Sequence, residues 1–150
     1  VEYMCNKENL TVSEVLNILN KKSGMLGLSG ISSDYRDVCA AIDAGNQDAI
    51  NCMDTYYYKI IKYIGSYIAA MGGVDVITFT AGLGENGMPL RKEICEAFGY
   101  MGLVFDDEAN NTRGQEVVIT KPESKITACV IPTNEEIAIC EETVELVQGI

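Results

Sequence analysis

The amino-acid sequence predicts an α/β protein. Three observations carry that expectation. Apolar residues recur every three or four positions from Gln47 to Met71. Two buried-strand patterns lie at 74–80 and 125–131, and each runs through a Gly- or Pro-bearing junction into a helix-like segment. The 150 residues fit one domain, and 47% hydrophobic against 22% charged residues is enough to bury a core, so wholesale disorder is excluded.

In chain order, Thr11 to Lys22 reads as a helix, because Thr11 and Glu14 have capping-box spacing and Val12, Val15, Leu16 and Leu19 form one face. Gly24 supplies its stop. Ser23 to Ser33 is rich in Gly and Ser, and its apolar Met25, Leu26, Leu28 and Ile31 suggest a tethered loop. Asp34 caps a second helix ending near Gly45, with Asp37 favouring the positive end of its dipole. The 47–71 segment, about 37 Å long as a helix, carries one stripe from Ile50 to Met71 and a second of Tyr56, Ile60, Tyr63 and Tyr67. Two stripes imply packing on two sides. Gly72-Gly73 ends it, and Val74 to Thr80 is a strand. A glycine loop, Ala81 to Gly87, then leads into a helix with Pro89 in its first turn and Leu90, Ile94 and Phe98 on one face. Val104-Phe105 is a short strand candidate before an acidic loop, 106–114. Glu116 to Thr120 and Lys125 to Ile131 are the last strands, and a final helix starts at Thr133 with Glu136 at capping-box spacing.

Composition removes whole classes of chemistry. With no His, the chain supplies no Ser-His-Asp triad, Cys-His dyad or His-liganded zinc. Eleven Lys and Arg against 22 Asp and Glu give a net charge of −11, which argues against a nucleic-acid partner or an anionic membrane surface. A nucleotide remains open, because Mg²⁺ and one or two basic side chains offset its charge locally. The cysteines, Cys5, Cys39, Cys52, Cys95, Cys129 and Cys140, form no C-x-x-C pair and read as reduced thiols of a cytoplasmic protein. No apolar run reaches the ~20 residues of a membrane span, and no signal-peptide pattern opens the chain. It begins with Val and a polar segment, compatible with a fragment.

Three places carry residue types suited to a phosphorylated ligand. The first is Thr80 to Gly87, where Gly82, Leu83 and Gly84 precede Glu85 and Asn86. Glycines let a backbone approach a ligand closely, and Glu85 and Asn86 are able to hydrogen-bond ribose or a purine; a tight strand-to-helix turn explains the same glycines. The second is Pro132 to Glu136: the capping box accounts for Glu136, leaving Glu135 as a possible Mg²⁺ ligand. The third is Ser32 to Arg36. Arg36 either offsets phosphate charge or stacks on a base, or else pairs on the helix surface with Asp37 or Asp43.

The stretches Leu19–Gly24 and Ser29–Arg36, then Phe79-Thr80-Ala81-Gly82-Leu83-Gly84-Glu85-Asn86, then Val130-Ile131-Pro132-Thr133-Asn134-Glu135-Glu136, resemble the acetate kinase family in order and spacing over nearly the whole chain. The resemblance implies a partial actin-like ATPase (ribonuclease H-like) nucleotide-binding domain of the acetate and sugar kinase superfamily. It implies Mg²⁺-dependent (or Mn²⁺-dependent) reversible phosphoryl transfer between ATP and acetate, giving acetyl phosphate and ADP. By motif match Asp34, Tyr35 and Arg36 contact the nucleotide; the family usually has Phe in place of Tyr35, and Tyr keeps the ring. Gly82 to Asn86 form the adenosine pocket, and Glu135 assists Mg²⁺. The resemblance also implies a cytoplasmic homodimer. The family's amino-terminal half, with the acetate pocket and the Arg and His that stabilise the transferring phosphoryl group, has no counterpart here, so no catalytic residue is expected within 1–150. Residues 1–150 then read as the carboxy-terminal part of the kinase, inactive alone. Propionate or butyrate kinase, and a non-catalytic nucleotide-binding module, are the competing readings.

Overall fold

The structure, a computed structural model, describes residues 1–149. Two units make it up, Val1–Lys62 and Tyr63–Ile150. In the first, the opening polar segment is helical, α1 (Glu2–Glu8), closed by Asn9 in the left-handed region at φ 52°. No apolar period in residues 1–10 leads one to expect that helix. Helix α2 (Val12–Lys21) forms the expected capping box: Glu14 N–H donates to Thr11 Oγ1, and the Glu14 carboxylate accepts from the Thr11 N–H at 2.8 Å. Of its apolar face only Val15 is buried.

The Gly/Ser-rich stretch is not all loop. Gly24–Ser29 forms a short helix, α3, ended by Gly30, whose left-handed φ of 66° lets its N–H close on Leu26 O. Packing of Met25 against the core of this unit holds it, so tertiary contact outweighs the weak helix propensity of Gly and Ser. Asp34 caps α4 (Tyr35–Asp43) by accepting from the Arg36 N–H. Val38 of α4 meets Ala49, Cys52 and Met53 of α5 (Gln47–Met71) in a buried cluster, with Tyr35, Tyr56 and Tyr57 against it. The second stripe of α5 is covered at Tyr56 and Ile60 and open at Tyr63 and Tyr67, which are 66% and 63% exposed. The expected packing on both sides therefore holds over only part of its length.

The second unit is built on a three-stranded sheet of order β1-β3-β2, where β1 is Val76–Phe79, β2 Val117–Val118 and β3 Thr127–Val130. Strands β1 and β3 are parallel, with Phe79 opposite Val130, and β2 is antiparallel to β3. Between β1 and β2 lie α6 (Ala81–Asn86), α7 (Met88–Ala97), a 3-10 turn at Gly99–Met101 and α8 (Asp107–Asn110). The expected glycine loop is thus largely a helical turn, and the expected acidic loop holds a short helix whose cap, Asp106, accepts from the Glu108 and Ala109 N–H groups. Val104-Phe105 is reduced to a single bridge, Phe105 to Thr120. Ile77, Phe79, Leu90, Ile94, Phe98, Ile119, Ile126 and Val130 are buried.

The last helix, α9 (Glu135–Gln148), starts later than expected. Its cap is Asn134, which accepts from the Ile137 N–H at 3.1 Å. No box forms between Thr133 and Glu136, because the Thr133 hydroxyl is drawn to Glu85. All six cysteines are free, and none of the described helices is long and apolar enough to cross a membrane.

Candidate functional site

Parallel pairing of Phe79 with Val130 sends the two following segments out from the same edge of the sheet. In open α/β sheets ligands bind beyond the carboxyl ends of the strands, where such segments meet. Here a side chain joins them: Glu85 Oε1 accepts from the Thr133 N–H at 2.9 Å and from Thr133 Oγ1 at 3.0 Å. Those two donors hold the Glu85 carboxyl below its ordinary value. The first and second sequence motifs are therefore brought together.

The glycines of the first motif divide by what the fold needs of them. A Cβ on Gly84 would lie 3.1 Å from the Phe79 carbonyl carbon, and one on Gly87 would lie 2.5 Å from Leu83 O. Both places require a residue without a side chain to let α6 fold back on β1 and α7 follow. A Cβ on Gly82 meets nothing within 4 Å, so packing gives no reason for a glycine there and its open face is free for a ligand. Leu83 is half-buried and its carbonyl accepts from the Gly87 N–H at 2.8 Å. Asn86 turns back, its Nδ2 donating to Gly82 O at 2.8 Å. Ala81, which opens the turn, sits in the left-handed region at φ 58°, where a residue with a Cβ is strained.

Glu135 is the first residue of α9 and exposed. Its neighbour Thr133 belongs to the Glu85 linkage. No group of three His, Cys, Asp or Glu side chains gathers among the described residues. A lone exposed carboxylate still fits Mg²⁺ chemistry, because that ion is usually held by one or two carboxylates, with substrate phosphates and waters completing its shell.

The third motif lies in the first unit. Arg36 is exposed, its side chain 87% accessible, and it forms a forked pair with Asp34, Nε to Oδ1 at 3.1 Å and Nη2 to Oδ2 at 2.7 Å. Its direct ion pair is with Asp34 and with neither Asp37 nor Asp43; Asp37 accepts from Ser32 Oγ and acts on Arg36 only through its charge. The Arg36 side chain and N–H push the Asp34 carboxyl down to about 2. Tyr35 turns the other way, half-buried against the core cluster, with its hydroxyl 2.9 Å from that of Tyr57. Burial, then that contact, pushes its phenol up.

Arg91, the largest fully buried side chain of the second unit, belongs to none of the three sequence motifs. It donates to Asn110 Oδ1 and O, Gly84 O, Glu85 O and Thr112 O, at 2.6–3.0 Å. A signal existed: Arg91 stands at the first place of an i, i+3, i+4, i+7 core face with Ile94, Cys95 and Phe98. A charged residue at a core position demands a partner set.

The sequence profile of the Acetokinase family matches residues 1–141. The acetate kinase of Lachnoclostridium phytofermentans is 51% identical over 147 residues, covering 98% of this chain and 37% of that protein. The crystal structure of Porphyromonas gingivalis acetate kinase superposes with a TM-score of 0.88 at 46% identity, covering 97% of this chain and 37% of that one. A propionate kinase from Francisella tularensis gives 0.79 at 31% identity, over 90% and 34%. The chain spans little more than a third of the length of these relatives, and its α/β fold is the fold of the matching part. With the profile covering nearly all of its residues, including every motif described above, this chain belongs to the acetokinase family.

Proposed function

We propose that this chain is the nucleotide-binding, carboxy-terminal part of an acetate kinase, which transfers the γ-phosphoryl group of ATP reversibly to acetate in the presence of Mg²⁺. The observation that supports it most is the Glu85–Thr133 linkage, which puts a glycine with an open face and a carboxylate-bearing junction at one sheet edge. In this reading Gly82 to Asn86 receive the adenosine, the backbone at Gly82 offering close approach. Asp34, Tyr35 and Arg36 contact the nucleotide, with the exposed Arg36 guanidinium, held by its fork to Asp34, offsetting polyphosphate charge. Glu135 holds Mg²⁺, or Mn²⁺, which neutralises charge on the phosphates. An acetate oxygen attacks the γ-phosphorus, the bond to the β-phosphate oxygen breaks, and ADP leaves. The positive charges that stabilise this transfer are contributed by parts of the kinase beyond these residues, so no catalytic residue is assigned here. The working enzyme is a cytoplasmic homodimer with no nucleic-acid or membrane partner, in keeping with the charge of −11.

The test joins this chain to the amino-terminal part of the Lachnoclostridium phytofermentans acetate kinase, in place of the matching residues. The chimera should form acetyl phosphate from acetate, ATP and Mg²⁺. A folded chimera without turnover would overturn the proposal. Propionate kinase is the second reading, favoured by the Francisella tularensis structure, and acyl-chain selection in the native protein's own assays decides it.

A further inference from the structure

Arg91 has no exposed surface, and its guanidinium uses all five N–H donors. Nε gives to Asn110 Oδ1 (2.7 Å), Nη1 to Gly84 O (2.9 Å) and Glu85 O (2.6 Å), and Nη2 to Asn110 O (2.8 Å) and Thr112 O (3.0 Å). Every acceptor is neutral, and no carboxylate pairs with it among the described residues. A buried charge without a counter-ion is costly, and Leu or Met would fill such a helix position without that cost. The fork must therefore serve something an apolar residue would not.

Two of its five acceptors are the carbonyls of Gly84 and Glu85, which end α6 and have no helical partner of their own. Asn110 completes the clamp, its Nδ2 donating to Met88 O at 3.1 Å. One side chain thus ties both ends of the α6–α7 turn to the 110–112 backbone. We infer that Arg91 is a positioning residue for the nucleotide: by gripping the Gly84 and Glu85 carbonyls it fixes the Gly82–Asn86 turn in the shape that receives the nucleoside. This rests on the function proposed above. Only a planar fork reaches carbonyls on both sides, so the positive charge of Lys is no substitute.

The experiment has two readouts. In the 150-residue chain, amide hydrogen exchange is followed for Arg91→Lys and Arg91→Gln. Exchange at Gly84 to Gly87 should accelerate about 10-fold or more, as loss of hydrogen bonds to a charged group implies, while α2 amides stay unchanged and report a folded first unit. In the chimera the same variants should raise the KM for ATP about 10-fold with kcat and the KM for acetate nearly unchanged. Millimolar guanidinium, but not ammonium, should restore the KM for ATP in Arg91→Ala. If the variants do not fold, Asn110→Ala, which keeps Arg91 and removes its Nε partner, should shift both readouts in the same direction by less. Unchanged turn exchange in a folded variant, faster exchange with an unchanged KM for ATP, or an unaffected Asn110→Ala would each overturn the inference. An inactive unsubstituted chimera would instead sink the proposed function, and the exchange data would still decide whether Arg91 fixes the turn.

Discussion

At the scale of single residues, Gly82 and Gly84 have different reasons to be glycine, and substitution separates them. Gly84→Ala drives a methyl into the Phe79 carbonyl and should destabilise the protein by about 1–3 kcal/mol, the usual cost of overpacking. Gly82→Ala meets open space and gains helix propensity, so the melting temperature should hold or rise. Its MgADP affinity, read by calorimetry on the chimera, should fall if a ligand uses that face; unchanged affinity would remove Gly82 from the site. Acid offers a second check. The Glu85 carboxyl is depressed by the Thr133 donors, so its contribution is fully present above the ordinary 4.5 and is lost as pH falls through the lower folded value. Glu85→Gln should abolish that part of the acid dependence in denaturation curves taken below the ordinary carboxylate range. Cysteine reactivity follows burial: desolvation pushes the Cys95 thiol up to about 12, whereas Cys140 is exposed on α9. Thiol labelling at neutral pH should modify Cys140 first and spare Cys95 until unfolding, when six free thiols should be counted.

At the scale of elements, caps explain where the helices begin. Thr11, Asp34 and Asn134 each accept from an N–H in the first turn that follows. Asn134→Ala should cost about 1 kcal/mol of stability, the typical worth of such a cap, measured by denaturant unfolding. Thr133→Val should leave that cap intact and instead release Glu85, because Thr133 donates across to the neighbouring junction. Motif and cap look alike in sequence here, since a Thr three residues before a Glu reads as a capping box. The competing acceptor, Glu85, is 48 residues away, and only the parallel pairing of β1 and β3 brings it near.

At the scale of the whole molecule, α9 has no buried residue; Ile137, Ile139, Leu146 and Val147 are all more than half exposed. Uncovered apolar faces of that kind mark interaction surfaces, and the outer edge of β1 has no partner strand among the described residues, a place where strands recruit others. The 150-residue chain should therefore self-associate in light scattering, and Ile139→Lys with Leu146→Lys should reduce it. The same chain, assayed with acetate, ATP and Mg²⁺, should show no turnover. Removing one group that stabilises transition-state charge typically costs ~10²–10³ in rate, and by the proposed function several lie elsewhere. Turnover near that of a complete kinase from a monomeric sample would contradict both expectations.

Local periodicity and capping chemistry determined much of this protein. The α2 and α4 starts, the full length of α5, both buried strands and the helix after Pro89 follow from spacing and from single side chains, because those signals act within one or two turns of chain. The three motifs were likewise complete in the sequence. Tertiary structure decided what neighbouring residues could not express. It made 24–29 helical through the packing of Met25, left only Val15 of the α2 face buried, and shortened Val104-Phe105 to one bridge. It also turned Thr133 from a cap into a link with Glu85 and placed Arg91, 19 residues from Asn110, at the centre of a five-bond clamp. The physical reason is common to these cases: a hydrogen bond or a packed face between segments distant in sequence has no period of its own, so it exists only once folding within each unit has brought those segments together.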